Sequence, residues 1–272
     1  MRASVAQQPA AHPTLADDYA GAMSALNVAA LKHLLRENQA ARSSQRSLLP
    51  SSLPDIPGCR LAARWQPAFD LGGDCYDVIE LSPTRIAISI ADVCGKGLPA
   101  ALVMSHLQAS TRAFATANPE PASVATNVNR ALCRNSGLAR FVTFFFGVYD
   151  AVARRLTYTN AGHNHPLLVH ADGSVERLST GGTVLGVFDH VRFEEADVQL
   201  APGDRVVFFT DGITDAGDEP ENPFGEERLI AAIRTRSDVD VSRLADGIFS
   251  DVASFARGRF GDDATVVVLS VE

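Results

Sequence analysis

Aspartates at the ends of apolar runs are the residues of this sequence whose placement could do chemistry. "RIAISIAD" reaches Asp92, "RVVFFTD" reaches Asp211, and "DDATVVVLSV" starts from Asp262 and Asp263. A fourth acidic position, Asp74 in "LGGDCYD", precedes the first of these runs by one short connection. Aspartate is depleted inside strands, so carboxylates set repeatedly at strand termini can converge on one rim of a sheet stack. Such a rim repels itself unless cations fill it. Oxygen-only donors without a His or Cys cluster favour a hard ion, Mg²⁺ or Mn²⁺, over zinc. Taken singly each aspartate also fits an ordinary turn, because "TDG" and "DDA" are common at strand ends. Four of them on apolar strands with glycine neighbours carry more weight than one.

Two phosphate-binding readings fail on spacing. A Walker A loop needs GxxxxGK followed by Ser or Thr, whereas "DVCGKGL" has one residue between its glycines and Leu98 after the second. "GGD" at 72–74 invites comparison with GGDEF nucleotide cyclases, but "CYD" departs from that motif and the later acidic sites would go unexplained.

The elements that must position these aspartates are short β segments. "RIAISIADV" alternates Ile86, Ile88 and Ile90 with Ala87 and Ser89, and "FVTFFFGVYD", "RLTYTNAG", "HPLLVH", "DRVVFFTDG" and "ATVVVLSV" are further β-branched or aromatic runs. Helical spacing is predicted over 98–117, over 121–134, and in a zone near 226–257. Strands grouped around turns, with helices in blocks, predict an α+β fold with mostly antiparallel sheets.

Residues 1–18 are rich in Ala, Pro and Gln and read as a disordered tail. Residues 19–57 read as a helical linker whose helix, 19–48, stops at Pro50, Pro54 and Pro57, leaving 58–272 as the main folded domain. Val28, Leu31 and Leu35 follow a 3-4 spacing that fits either packing on the domain or a dimerising, signal-receiving linker.

The chain has 272 residues, a net charge of −8 and a pI near 5.4, a balance that argues against nucleic acid or an anionic membrane as partner. The N-terminus lacks a secretory apolar core and no stretch approaches the roughly 20 apolar residues of a spanning helix, so a cytoplasmic location is expected. Cys59, Cys75, Cys94 and Cys133 form no CxxC pair and read as reduced thiols.

Taken in order, "SLLPSSLPDIPG", "ARWQPAFDLGGDCYDVIEL", "ADVCGKGLPAALVMSHLQ", "FVTFFFGVYD", "TYTNAGHNHPLLV", "LAPGDRVVFFTDGITDA", "FGEERL" and "DDATVVVL" cover roughly residues 45–271. In these stretches the chain resembles the PPM-type (protein phosphatase 2C-like) metal-dependent serine/threonine phosphatases, in particular the SpoIIE/RsbU branch. The resemblance implies a β-sandwich of two mostly antiparallel sheets flanked by helices. It implies hydrolysis of phosphoserine or phosphothreonine by water activated between two Mn²⁺ or Mg²⁺ ions, with no catalytic side chain as nucleophile. Carried over by position, Asp74, Asp92, Asp211 and Asp262 are the acidic metal sites, with Asp92 bridging and the Val93 carbonyl as a further ligand. Between Asp262 and Asp263 the family's pattern favours the first. No counterpart of the phosphate-gripping arginine of the wider superfamily is identified. Lys96 reads as solvent-facing and His163 as structural support.

The same resemblance implies that the helix from Leu98 to Ala117, including Met104, acts as a switch on the metal site. It implies a STAS-domain anti-sigma factor antagonist as phosphorylated substrate, while a homodimer through the N-terminal helix is expected from the dimerising reading of that helix. A pseudophosphatase that only binds a phosphorylated partner is the competing class, and the presence of all four carboxylates counts against it.

Overall fold

The structure, a computed structural model, describes residues 15–134, 140–219 and 221–272, and for residues 15–27 and 29 the backbone alone. The chain divides into two units, Met1–Ser43 and Ser44–Glu272. Helix α1 (Leu15–Leu48) supplies the described part of the first unit and the opening residues of the second. The expected tail lies outside the described residues as far as position 14, and residues 15–18 are helical rather than disordered. The helix ends at Leu48 because Leu49, standing before Pro50, is pushed toward extended backbone. Val28, Leu31, Leu34 and Leu35 along α1 are exposed, whereas Gln45, Leu49 and Ile56 are buried. That burial is why the second unit begins at Ser44 instead of residue 58.

The strands form two sheets. One runs in the order β1 (Cys59–Gln66), β11 (Ala264–Val271), β10 (Arg205–Phe209), β6 (Leu167–Val169) and β7 (Val175–Arg177), antiparallel throughout. The other runs β2 (Cys75–Ser82), β3 (Arg85–Val93), β4 (Val142–Asp150), β5 (Arg155–Ala161) and β8 (Gly181–Gly182), with β9 (Ala196–Gln199) also on β5. Its one parallel pairing joins β5 to β8. The fold is therefore α+β with two mostly antiparallel sheets, as the strand pattern predicts.

Alternation assigns the layers. In β10, Val206 and Phe208 enter the core between the sheets, while Val207 and Phe209 enter a second core beneath α5 (Gly225–Arg234) and α6 (Val241–Phe255). Strand β11 divides in the same way, Val267 and Leu269 against Val266 and Val268. Phe145 of β4 meets Phe208 across the two sheets, ring centroids 5.4 Å apart. In β3 the alternation is one of size, because Ile86, Ile88 and Ile90 and the intervening Ala87, Ser89 and Ala91 are all buried. Helices α2 (Leu98–Ala117) and α3 (Pro121–Arg134) pack Val103, Met104, Leu107, Val124 and Val128 into the same core as this second sheet.

The predicted helical zone near 226–257 is two helices. Asp240 divides it by capping α6, its carboxylate accepting the N–H groups of Ser242 and Arg243 at 3.0 Å. A short helix, α4 (Asp211–Thr214), follows β10 directly. These connections bring the C-terminal ends of β3 and β10 and the N-terminal ends of β2 and β11 to one rim.

Candidate functional site

Asp74 is held most firmly of the rim carboxylates. Its Oδ2 accepts the hydroxyls of Thr210 and Thr265, both at 2.6 Å, and the Thr265 N–H donates to the Thr210 oxygen at 3.0 Å. Burial, then the charge of Asp92, lifts its carboxyl well above the ordinary carboxylate range against the pull of the two hydroxyls. These threonines go unnoticed in the sequence, since "FFTDG" and "DDAT" read as turn chemistry around the aspartates.

Asp92 lies one residue before the end of β3, opposite Thr143 of β4. Burial, with the charges of Asp211, Asp262 and Asp263 behind it, pushes its carboxyl up to about 7, and Lys96 opposes that rise. Asp211 opens α4 and is raised as well, first by burial and then by Asp262 and Asp215. The four predicted acidic positions are thus brought into electrostatic contact. Val93 closes β3 with its side chain buried. A Cβ on Gly73 would fall 2.7 Å from the Val93 carbonyl oxygen, so glycine is required for the "GGD" loop to approach that oxygen.

Adjacent residues 262 and 263 do different work. Asp263 is buried and accepts the N–H groups of Ala68, Gly73 and Asp74 at 2.8, 2.6 and 3.5 Å. It fixes the loop that carries Asp74. Asp262 is half-exposed and meets Lys96, whose ammonium lies 2.9 Å from Asp262 Oδ2 and 2.7 Å from the Gly261 carbonyl, beside the Phe69 ring. Lys96 therefore does not simply face solvent. Uncompensated negative charge at the rim draws this ammonium across it.

Behind Asp92, the Nδ1 of His163 lies 2.8 Å from the Thr143 hydroxyl, and the His163 N–H donates to Asn160 Oδ1 at 2.7 Å. Burial, partly offset by the Phe209 backbone, pushes this imidazole down to about 3. It is neutral near pH 7 and props the strand beneath Asp92. Cys75 is buried, and burial raises its thiol well above the usual range, so it is no thiolate nucleophile.

Three further contacts bear on the rim. Arg140, upstream of "FVTFFF", donates to the Cys94 carbonyl at 2.5 Å, a guanidinium that no recognised acidic motif contains. Gln45 donates to the Gly72 carbonyl at 2.6 Å and accepts the Gly72 N–H at 3.1 Å, tying the last turn of α1 to the loop before Asp74. Arg112 of α2 pairs twice with the buried Asp77 of β2, at 2.5 and 2.9 Å. Leu98 stands exposed at the start of α2, and Met104 is fully buried one and a half turns on.

The donor set fits hard divalent cations: oxygen atoms only, several of them carboxylates that raise one another's proton affinity, with a lysine drawn in as counter-charge. Among the described residues, no three His, Cys, Asp or Glu side chains stand closely enough to grip an ion as they are oriented. Asp74 is turned to its threonines and Asp262 to Lys96.

This sandwich with its acidic rim defines a phosphatase domain of the PP2C type. Residues 82–272 match the family model described as Stage II sporulation protein E (SpoIIE), and the chain belongs to that family. It is 29% identical over 235 residues to the phosphoserine phosphatase RsbU of Bacillus subtilis, covering 86% of this chain and 69% of that protein. It is 30% identical over 224 residues to protein IcfG of Synechocystis, covering 72% of this chain but only 35% of the relative. Among solved structures it resembles the RsbU and RsbW domains of Rv1364c from Mycobacterium tuberculosis (27% identity, TM-score 0.72, 83% of this chain and 63% of that one). The SiaA PP2C domain of Pseudomonas aeruginosa shares the fold (24% identity, TM-score 0.78, 90% and 99%). So does the catalytic domain of PstP solved with two manganese ions (18% identity, TM-score 0.58, 78% and 98%).

The raised carboxyl of Asp92 has a consequence for stability. The native state keeps a proton that the unfolded chain releases near pH 4, so this contribution is complete below pH 4 and is lost as pH rises through about 7. Thermal melts in EDTA are expected to show a midpoint that declines over that interval. Asp92→Asn should flatten the decline and raise the midpoint at pH 7.5 by several degrees; a variant no more stable than wild type at that pH would contradict the charge argument.

Proposed function

We propose that this chain is a metal-dependent protein serine/threonine phosphatase. The observation that carries the reading is the unbalanced charge of the rim, where Asp92 is pushed up to about 7 by burial and by neighbouring aspartates. Asp74, Asp92, Asp211 and Asp262, with the Val93 carbonyl, would hold two Mn²⁺ or Mg²⁺ ions. Such ions, when bound, supply hydroxide from water near neutral pH and offset the charge of a phosphoryl group.

The chain's own residues set the conditions for that chemistry. Thr210 and Thr265 fix Asp74, and Asp263 fixes the loop that carries it. Thr143, propped by the neutral His163, backs Asp92. Arg140 brings a guanidinium to the loop after Asp92, on the side from which a phosphoserine can approach. Neither Cys75 nor His163, both buried, is suited to act as covalent nucleophile. Hydrolysis of p-nitrophenyl phosphate is expected to need Mn²⁺, to stop on chelation, and to fall on the order of 100-fold in Asp211→Asn. Turnover indifferent to both metal and mutation would remove the reading.

The substrate is a phosphorylated STAS-domain anti-sigma factor antagonist and the setting is cytoplasmic; similarity to the phosphoserine phosphatase RsbU supports phosphoserine as the group removed. Among the described residues no helix is long and apolar enough to cross a membrane. Regulation enters through α1 and through α2 from Leu98 to Met104. Gln45 supports this role for α1, because it clasps the loop before Asp74, and Gln108 of α2 donates to the Leu48 carbonyl at 2.7 Å. Gln45→Ala should raise the Mn²⁺ concentration needed for half-maximal turnover several-fold, and an unchanged metal titration would exclude the coupling. Exposed Leu31 and Leu35 support a homodimer through α1. Sedimentation equilibrium should read a dimer for the full chain and a monomer for Leu31→Glu/Leu35→Glu, and equal masses would exclude that interface.

A further inference from the structure

Many arginines of this chain have fixed partners, either backbone carbonyls, as for Arg140 and Arg205, or carboxylates. Arg60, Arg112, Arg177 and Arg236 are committed to carboxylates. Arg130 and Arg134 on α3, and Arg192 beyond it, have neither a hydrogen bond nor a salt bridge among the described residues. They line one continuous groove. Arg130 and Arg134 border a cavity of about 640 Å³ that Phe188 and His190 close from the other side. Arg130 also borders a neighbouring cavity with Arg192. Asp189 is the one acidic residue lining the larger cavity, and it pairs with His190 at 2.9 Å. Among the described residues the charge of Asp189 acts on Arg130, and no carboxylate is bonded to any of the three guanidinium groups, in a chain of net charge −8.

The groove is rigidly built. Asn129, fully buried on α3, donates to the Phe188 carbonyl at 2.7 Å and accepts the Gly186 N–H at 2.8 Å. With the backbone tied inward, Val187 and Phe188 turn outward and are 48% and 53% exposed. Gly186 adopts φ +84°, and a Cβ there would come within 3.0 Å of the Arg140 carbonyl. The groove therefore abuts Arg140, whose guanidinium reaches the Cys94 carbonyl two residues past Asp92. Phe141, 42% exposed, continues the apolar border, and its carbonyl accepts the Cys94 N–H at 3.0 Å.

We propose that this groove docks the acidic flank of the phosphoprotein substrate. Arg130, Arg134 and Arg192 take carboxylates beside the phosphoserine, Phe188 takes an apolar side chain, and the phosphoserine itself reaches the rim past Arg140. The inference rests on the phosphatase reading above and adds to it the chemistry that selects the substrate. Charge complementarity supports it: an acidic partner is repelled by the acidic remainder of the surface, so one basic strip sets both encounter and orientation. A nucleic acid is the other polyanion such a strip could meet. The apolar border of Phe141, Val187 and Phe188 and the continuity with the rim favour a protein.

The test uses two phosphoserine peptides of equal length, one flanked by four aspartates and one by four asparagines, with the Mn²⁺-loaded full chain in low salt. The acidic peptide should show a kcat/KM about tenfold higher, a ratio that shrinks toward one in 0.5 M NaCl. Arg130→Glu/Arg134→Glu should abolish or invert the preference with its thermal midpoint within a few degrees of wild type, and Arg130→Lys/Arg134→Lys should retain most of it. Fluorescence anisotropy of the same peptides in EDTA reads docking apart from turnover. A wild type that hydrolyses neither peptide but still binds the acidic one preferentially, with the glutamate variant losing that preference, would defeat the phosphatase reading and leave the docking surface standing. Equal binding and equal kcat/KM for the two peptides, a preference that survives the glutamate variant, or tighter binding of a single-stranded oligonucleotide than of the acidic peptide would overturn it.

Discussion

Negative charge held together against its own repulsion is the constraint around which this structure is arranged. Carboxylates of Asp74, Asp92, Asp211 and Asp262 share one rim, and the cost of crowding appears at the first three as proton affinities raised by burial and by neighbouring charge. Nothing local to any one of them would keep it there. The restraint comes from strand pairing over the length of β3, β10 and β11, whose side chains fill two hydrophobic cores and leave the strand ends no freedom to separate. Burial of apolar surface elsewhere thus offsets an electrostatic penalty here, an arrangement characteristic of functional sites.

Neutral polar groups keep the crowded carboxylates in place without cancelling their charge. Threonine hydroxyls at 210 and 265 and the three backbone N–H groups on Asp263 are hydrogen-bond donors that carry no formal charge, so they orient without neutralising. A buried arginine in the same place would have satisfied the rim and removed its demand for cations. The chain does put an arginine on a buried carboxylate, but at Asp77, where Arg112 fastens α2 to β2. Lys96 is the exception at the rim, and it pairs with the most exposed of the acids.

Much of this was legible in the amino-acid order, and the parts that were not share a cause. Strands such as "RVVFFT" and "ATVVVLSV" declare themselves because alternating burial imposes a period of two, and aspartates at their ends stand out because that residue type is rare in strands. The break at Asp240 within the predicted 226–257 helical zone is less visible, since apolar spacing is similar on both sides of it. Thr210, Thr265, Gln45 and Arg140 carry no signal of their own. Each acts through a partner far away in sequence, and the partner is defined only once the sheets have paired. Lys96 is exposed as expected, but its pairing goes unseen for the same reason, its partner Asp262 arriving from the opposite end of the chain.

The clasp of Gln45 on Gly72 is geometrically demanding. One side-chain amide serves both the donor and the acceptor of a single peptide group, as a neighbouring strand would, and a helix presents that amide in only one direction. Advancing a helix by one residue turns its face by about 100°, so any rotation of α1 large enough to matter loses both bonds together rather than one after the other. Gly72 would then be left with a buried N–H and C=O unsatisfied, a steep penalty for an intermediate orientation. Mechanically, the clasp fixes the last turn of α1 and the loop before Asp74 in a single mutual orientation.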